Sequence, residues 1–127
     1  MAPVYDIGCG DGRIVYLANK LYGAKATGFE LSPLVYILAL IKKLIWHSKA
    51  EIKFADYKME DISDADIIFC YLLPETLAKV QKLIANQVKP GTKFISYAFP
   101  IPEWELIHQE SRIATKHFAP IWIYKKP

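Results

Sequence analysis

Four carboxylates and a cluster of glycines carry the first chemical signal in this chain. Asp6 and Asp11 bracket the run Asp6-Ile7-Gly8-Cys9-Gly10-Asp11-Gly12, Glu30 lies eighteen residues beyond Gly12, and Asp56 follows later. A glycine-rich turn of this kind cradles part of a nucleotide-like ligand, but its charge narrows which one. A pyrophosphate prefers backbone N–H groups with no carboxylate nearby, and Arg13 stands where a third glycine of the dinucleotide pattern would fall. Two acids within six residues repel such an anion and suit a ligand carrying fixed positive charge.

S-adenosylmethionine carries both a sulfonium and an ammonium, and its carboxylate can use the N–H groups that open the following helix. An acid at the end of a second strand can accept from ribose hydroxyls, which is the place of Glu30. Asp56, at the end of a third strand, can accept from an adenine amino group. Arg13, poorly placed for the helix dipole, is expected to face an acidic partner. Each acid alone is more often a solvated strand end, but their order and spacing favour one shared site.

These residues need elements to hold them. Short apolar runs alternate with helical patterns. Strands are expected over Val4–Ile7, Lys25–Glu30, Glu51–Ala55, Asp66–Tyr71 and Lys93–Ala98. Between them, a helix with Ile14, Leu17, Ala18 and Leu21 on one face ends near Gly23. A second opens at Ser32-Pro33 and runs to about Ser48, and a third spans about Glu75–Gln87. The tail breaks the alternation, with strands expected over Glu110–Lys116 and Ile121–Lys125. The expected fold is α/β: a doubly wound, mostly parallel seven-strand sheet with a C-terminal antiparallel hairpin. Residues 1–127 are expected to form a single domain.

The chain has 127 residues, a formal charge of +3 (16 − 13), and 53% hydrophobic residues. That apolar content excludes a disordered chain. The longest uninterrupted apolar run, Leu34 to Ile41, is eight residues, far short of the roughly 20 that span a bilayer. No signal-peptide pattern opens the sequence. Cys9 and Cys70 match no metal or redox spacing, and His47, His108 and His117 show no ligand spacing, so no metal is expected. A reduced, cytoplasmic setting follows. Cations are scattered, with only Lys42-Lys43 and Lys125-Lys126 adjacent, so a nucleic-acid partner is not the expectation.

The run Asp6 to Ile14, with Gly28-Phe-Glu-Leu-Ser-Pro33 and Ala98-Phe-Pro-Ile-Pro-Glu-Trp104, resembles the class I, Rossmann-like methyltransferases. More narrowly, it resembles the protein-lysine methyltransferases related to the ATP synthase c-subunit lysine methyltransferase. Their archaeal relatives are similar across Asp61-Ile-Ser63, Leu72-Leu73 and Lys89-Pro-Gly-Thr92. The resemblance implies S-adenosylmethionine as cofactor, held by Asp6, Gly8, Gly10, Asp11, Gly12, Arg13, Glu30, Leu31, Asp56, Tyr57 and Tyr71. It implies a protein substrate with accessible lysines. Those families carry a segment ahead of the first strand that helps to cover the cofactor. Here the strand begins at Val4, and an open site or a shortened form is expected.

Methyl transfer to an amine is an in-line displacement, so the task is mostly alignment. Tyr71 and Glu75, after the fourth strand, are the candidate catalytic residues. Tyr71 would orient the amine through its hydroxyl or ring face, and Glu75 would hold the ammonium or take its proton. Phe99, Pro100, Pro102 and Trp104 would wall the substrate groove. For each there is a plain structural alternative: a half-buried strand residue, an acid favoured by a helix dipole, and a rigid proline turn. An RNA base methyltransferase often carries a polar residue ahead of a Pro-Pro-aromatic element after this strand. Tyr71-Leu-Leu-Pro-Glu75 lacks it. A small-molecule enzyme usually needs lid segments, and a non-catalytic S-adenosylmethionine-binding module remains a third class.

Overall fold

The computed structural model describes residues 3–101, 105–110 and 121–126. One sheet of seven strands runs through it in the order β3-β2-β1-β4-β5-β7-β6. The first five strands, β1 (Pro3–Ile7), β2 (Lys25–Glu30), β3 (Glu51–Phe54), β4 (Ile67–Cys70) and β5 (Lys93–Tyr97), are mutually parallel. β7 (Ile121–Lys125) lies antiparallel between β5 and β6 (Glu105–Glu110). The helices are α1 (Arg13–Tyr22), α2 (Pro33–Trp46) and α3 (Pro74–Ala85), with a short 3-10 turn at Tyr57–Met59.

Alternation along the strands splits the core between two faces. On one, Val4, Ala26 and Ile52 pack with Val15 and Tyr16 of α1 and Ala39 of α2. On the other, Ile7, Phe29, Ile68, Cys70 and Phe94 pack with Leu77, Val80 and Ile84 of α3 and with Tyr124 of β7. Parallel strands need crossovers, and each helix supplies one. The switch in strand order falls between β1 and β4, so the carboxyl ends of β1, β2 and β4 open onto a common edge.

The last hairpin differs from the expectation over Glu110–Lys116. The described strand is Glu105–Glu110, and residues 111–116 lie outside the described residues. The register explains the shift. Glu105 pairs with Lys125 and Glu110 with Ile121, so β6 spans the whole of β7. An irregularity between Leu106 and His108 lets six residues oppose five. The α3 bounds are slightly earlier than expected, because Pro74 takes the first helical position and Asn86 caps the end.

The face expected of α1 also differs. Val15 and Tyr16 are wholly buried, whereas Ile14, Leu17 and Leu21 remain exposed. With Ile67, Phe69 and Ile95 of the sheet, Ile14 and Leu17 line an apolar groove of about 450 Å³. No described helix covers the sheet there.

Candidate active site

The glycine loop is built by positive φ at alternate positions: 68° at Gly8, 59° at Gly10 and 81° at Gly12. Left-handed backbone favours glycine at each. The Cys9 amide donates to the Phe29 carbonyl at 2.9 Å, which holds the loop on the end of β2. That approach needs Gly28, where a Cβ would stand 2.7 Å from both Cβ and Sγ of Cys9. At Gly12 a Cβ would collide with the Tyr16 ring at 2.7 Å. At Gly10 it would meet nothing within 4 Å, so the outer edge of the loop borders open space.

Glu30 ties this loop to the start of α2. Its Oε1 accepts from the Gly10 amide at 2.9 Å, and its Oε2 from the amides of Leu31 and Ser32 at 3.0 and 3.1 Å. Asp6 lies buried beneath. Burial pushes its carboxyl well above the ordinary range, with the Glu30 charge adding to the rise. Burial would likewise raise Asp11, but Lys42 and the Arg13 amide outweigh it and hold that carboxyl below its ordinary value. Asp11 pairs with Lys42 of α2 and, at 3.2 Å, with the Arg13 guanidinium. The acidic partner that Arg13 faces is therefore its own neighbour. Burial pushes the thiols of Cys9 and Cys70 up to about 12, so neither is a nucleophile near neutrality.

A cavity of about 470 Å³ gathers Asp6, Gly8, Gly10, Asp11 and Arg13 with Ile14, Phe69, Tyr71, Tyr97 and Ile121. Tyr71 and Tyr97 meet edge to face, centroids 4.8 Å apart at 87°. Glu30 reaches this cavity through Gly10. Gly12 lies beneath the loop as the cap of α1, and Leu31, at the head of α2, is exposed. Asp56 caps the 3-10 turn, accepting from the Lys58 amide at 3.0 Å, and burial raises the hydroxyl of Tyr57. Asp56, Tyr57 and Glu75 do not line the cavity; Glu75 is exposed in the first turn of α3. Phe99 packs on the core and Pro100 is exposed, while Pro102 and Trp104 lie outside the described residues.

Tyr97, which lines the cavity, and Lys42, which pairs with Asp11, are residues that sequence reasoning misses. Tyr97 follows Ser96, the register partner of Cys70, so it lies level with Tyr71 at the strand ends. Strand alignment is the available signal for Tyr97; nothing local marks Lys42. Chemically, the site offers the buried Asp6 and the half-buried Glu30 to a cationic ligand, with loop N–H groups and two aromatic rings able to face an ammonium.

Residues 6–108 match the family model described as the ANTKMT methyltransferase domain. The chain is 35% identical over 104 residues to a protein-lysine N-methyltransferase of Saccharolobus islandicus, covering 80% of this chain and 65% of that protein. It is 28% identical to the ATP synthase c-subunit lysine N-methyltransferase of Rattus norvegicus, covering 84% of this chain and 50% of the relative. The chain thus spans half to just under two thirds of these curated relatives. An RNA methyltransferase from Salinibacter ruber, crystallised with S-adenosyl-L-homocysteine, superposes with a TM-score of 0.90 at 27% identity, over 99% of this chain and 81% of that one.

Proposed function

The chain belongs to the ANTKMT methyltransferase domain family, and we propose that it is an S-adenosylmethionine-dependent methyltransferase acting on lysine side chains of proteins. The observation that carries this reading is the Glu30 bridge: one carboxylate fixes the glycine loop and the head of α2 while the buried Asp6 lies below. The residues present fit the cofactor. A cationic ligand would favour the ionised form of Asp6, and the open edge at Gly10 leaves room for it.

When bound, S-adenosylmethionine supplies a methyl group already activated by its sulfonium. The chain's own residues then bind and align. Glu30, with one lone pair on Oε1 left beyond its three backbone bonds, would accept from a ribose hydroxyl. Loop amides at Gly8 and Gly10 would meet the ligand's polar edge, with Asp11, Gly12, Arg13 and Leu31 shaping the surround. Asp56 and Tyr57 would take the adenine end. Tyr71, through its hydroxyl or ring face, and Tyr97, through its ring face, would meet the incoming ammonium. Glu75, exposed in the first turn of α3, would receive the proton that the lysine ammonium must give up.

The named relatives favour lysine over other acceptors. The likeness to an RNA methyltransferase favours RNA as the second reading. Charge supports protein: Lys20, Lys25 and Lys49 line a cleft at the amino ends of β2 and β3, opposite the glycine loop. We further take residues 1–127 as one catalytic domain, supported by the single sheet, and assign it to the cytoplasm, where two free buried thiols persist. Among the described residues no helix is long and apolar enough to cross a membrane. Methyl-labelled cofactor incubated with lysine-bearing protein and with RNA tests the proposal: label confined to lysine supports it, and label confined to RNA replaces it with the second reading.

A further inference from the structure

α2 is turned inside out relative to an ordinary surface helix. Its only charged residues, Lys42 and Lys43, sit on the inward half with Val35, Ala39 and Trp46, and Lys42 is paired with Asp11. The outward half carries Leu34, Ile37, Leu38, Ile41, Leu44 and Ile45, each between 49% and 76% exposed. Their spacing repeats as i, i+3, i+4, i+7, the seam that one helix offers another. With the flanking Leu31 and Leu40, these exposures amount to on the order of 700 Å². That exceeds the roughly 300–600 Å² of a usual largest monomer patch and approaches the about 800 Å² per partner of a stable complex.

We propose that this face is the interface of a twofold homodimer, α2 packed antiparallel on α2 of a second copy. A twofold interface must be self-complementary, and an uncharged aliphatic stripe is so by construction. Antiparallel pairing sets the Leu34 end of one stripe against the Ile45 end of the other and opposes the two helix dipoles. A lipid surface fits less well. Interfacial helices place lysines around the apolar face and aromatics within it, whereas here both lysines lie off the stripe, Lys42 tied to Asp11, and the stripe is wholly aliphatic.

Light scattering across a concentration series of the full chain tests this, since the substituted positions are exposed and cofactor binding monitors folding. The expected mass is twice 14.5 kDa at micromolar concentration. Ile37→Glu with Ile41→Glu should yield a monomer that still binds cofactor. Mixing it with Ile37→Lys, Ile41→Lys chains should restore a dimer through opposed charges. A wild-type chain that stays monomeric at high micromolar concentration overturns the proposal. So does an Ile37→Glu, Ile41→Glu chain that remains dimeric, or a monomer that pellets with phosphatidylcholine–phosphatidylglycerol vesicles.

Discussion

Glu30 is the residue on which the proposed site turns, because three backbone amides converge on its carboxylate. Hydrogen bonds to a charged group contribute about 1.5–3 kcal/mol each. Glu30→Ala is therefore expected to lower cofactor affinity by about 100-fold or more, measured by calorimetry, with Glu30→Gln recovering part of the loss. Asp6 works in the opposite sense on stability. Its folded pKa lies above the unfolded one, so its stabilising contribution is full below the unfolded value and declines as pH rises toward the folded value. Asp6→Asn should raise the melting temperature of the ligand-free protein at pH 7 by about 3 °C or more. The same change should weaken cofactor binding, and a lower melting temperature would remove the buried-carboxylate account. At the rings, Tyr97→Leu should slow transfer by about 10-fold at saturating cofactor while leaving cofactor affinity unchanged. Tyr71→Phe should also slow transfer and spare affinity. Rates unchanged in both would return the pair to packing.

Between elements, the closest approach is the glycine loop on β2. Gly28→Ala places a methyl 2.7 Å from Cys9, so thermal unfolding should show a loss of about 1–3 kcal/mol and calorimetry a weakened cofactor. The loop and Glu30 are legible in the sequence because strand, turn and strand end are local features. The helix–strand alternation is legible for the same reason, and it gives the parallel half of the sheet. What escapes depends on distant partners. The Glu105–Glu110 strand is set by its register with β7, not by its own pattern. The α1 stripe of Ile14, Leu17 and Leu21 has the pattern of a buried face, yet the covered side is Val15 and Tyr16, because β1 and β2 lie beneath that side. Tyr97 joins Tyr71 only through strand pairing.

At the scale of the molecule, one polar edge and two apolar surfaces have different uses. The carboxyl ends of β1, β2 and β4 gather the acids, the loop and the aromatic pair. The cationic cleft sits at the other end of the strands, so a polyanion would be drawn away from the glycine loop. The groove beside α1 and the outward face of α2 leave substantial apolar area uncovered. The most direct measurement is transfer of labelled methyl from S-adenosylmethionine to a cell lysate, split between protease and nuclease treatment and mapped by mass spectrometry. The expected result is label lost to protease alone and located on lysine ε-amines, with Glu30→Ala giving none. Label lost to nuclease alone would contradict a lysine-directed enzyme.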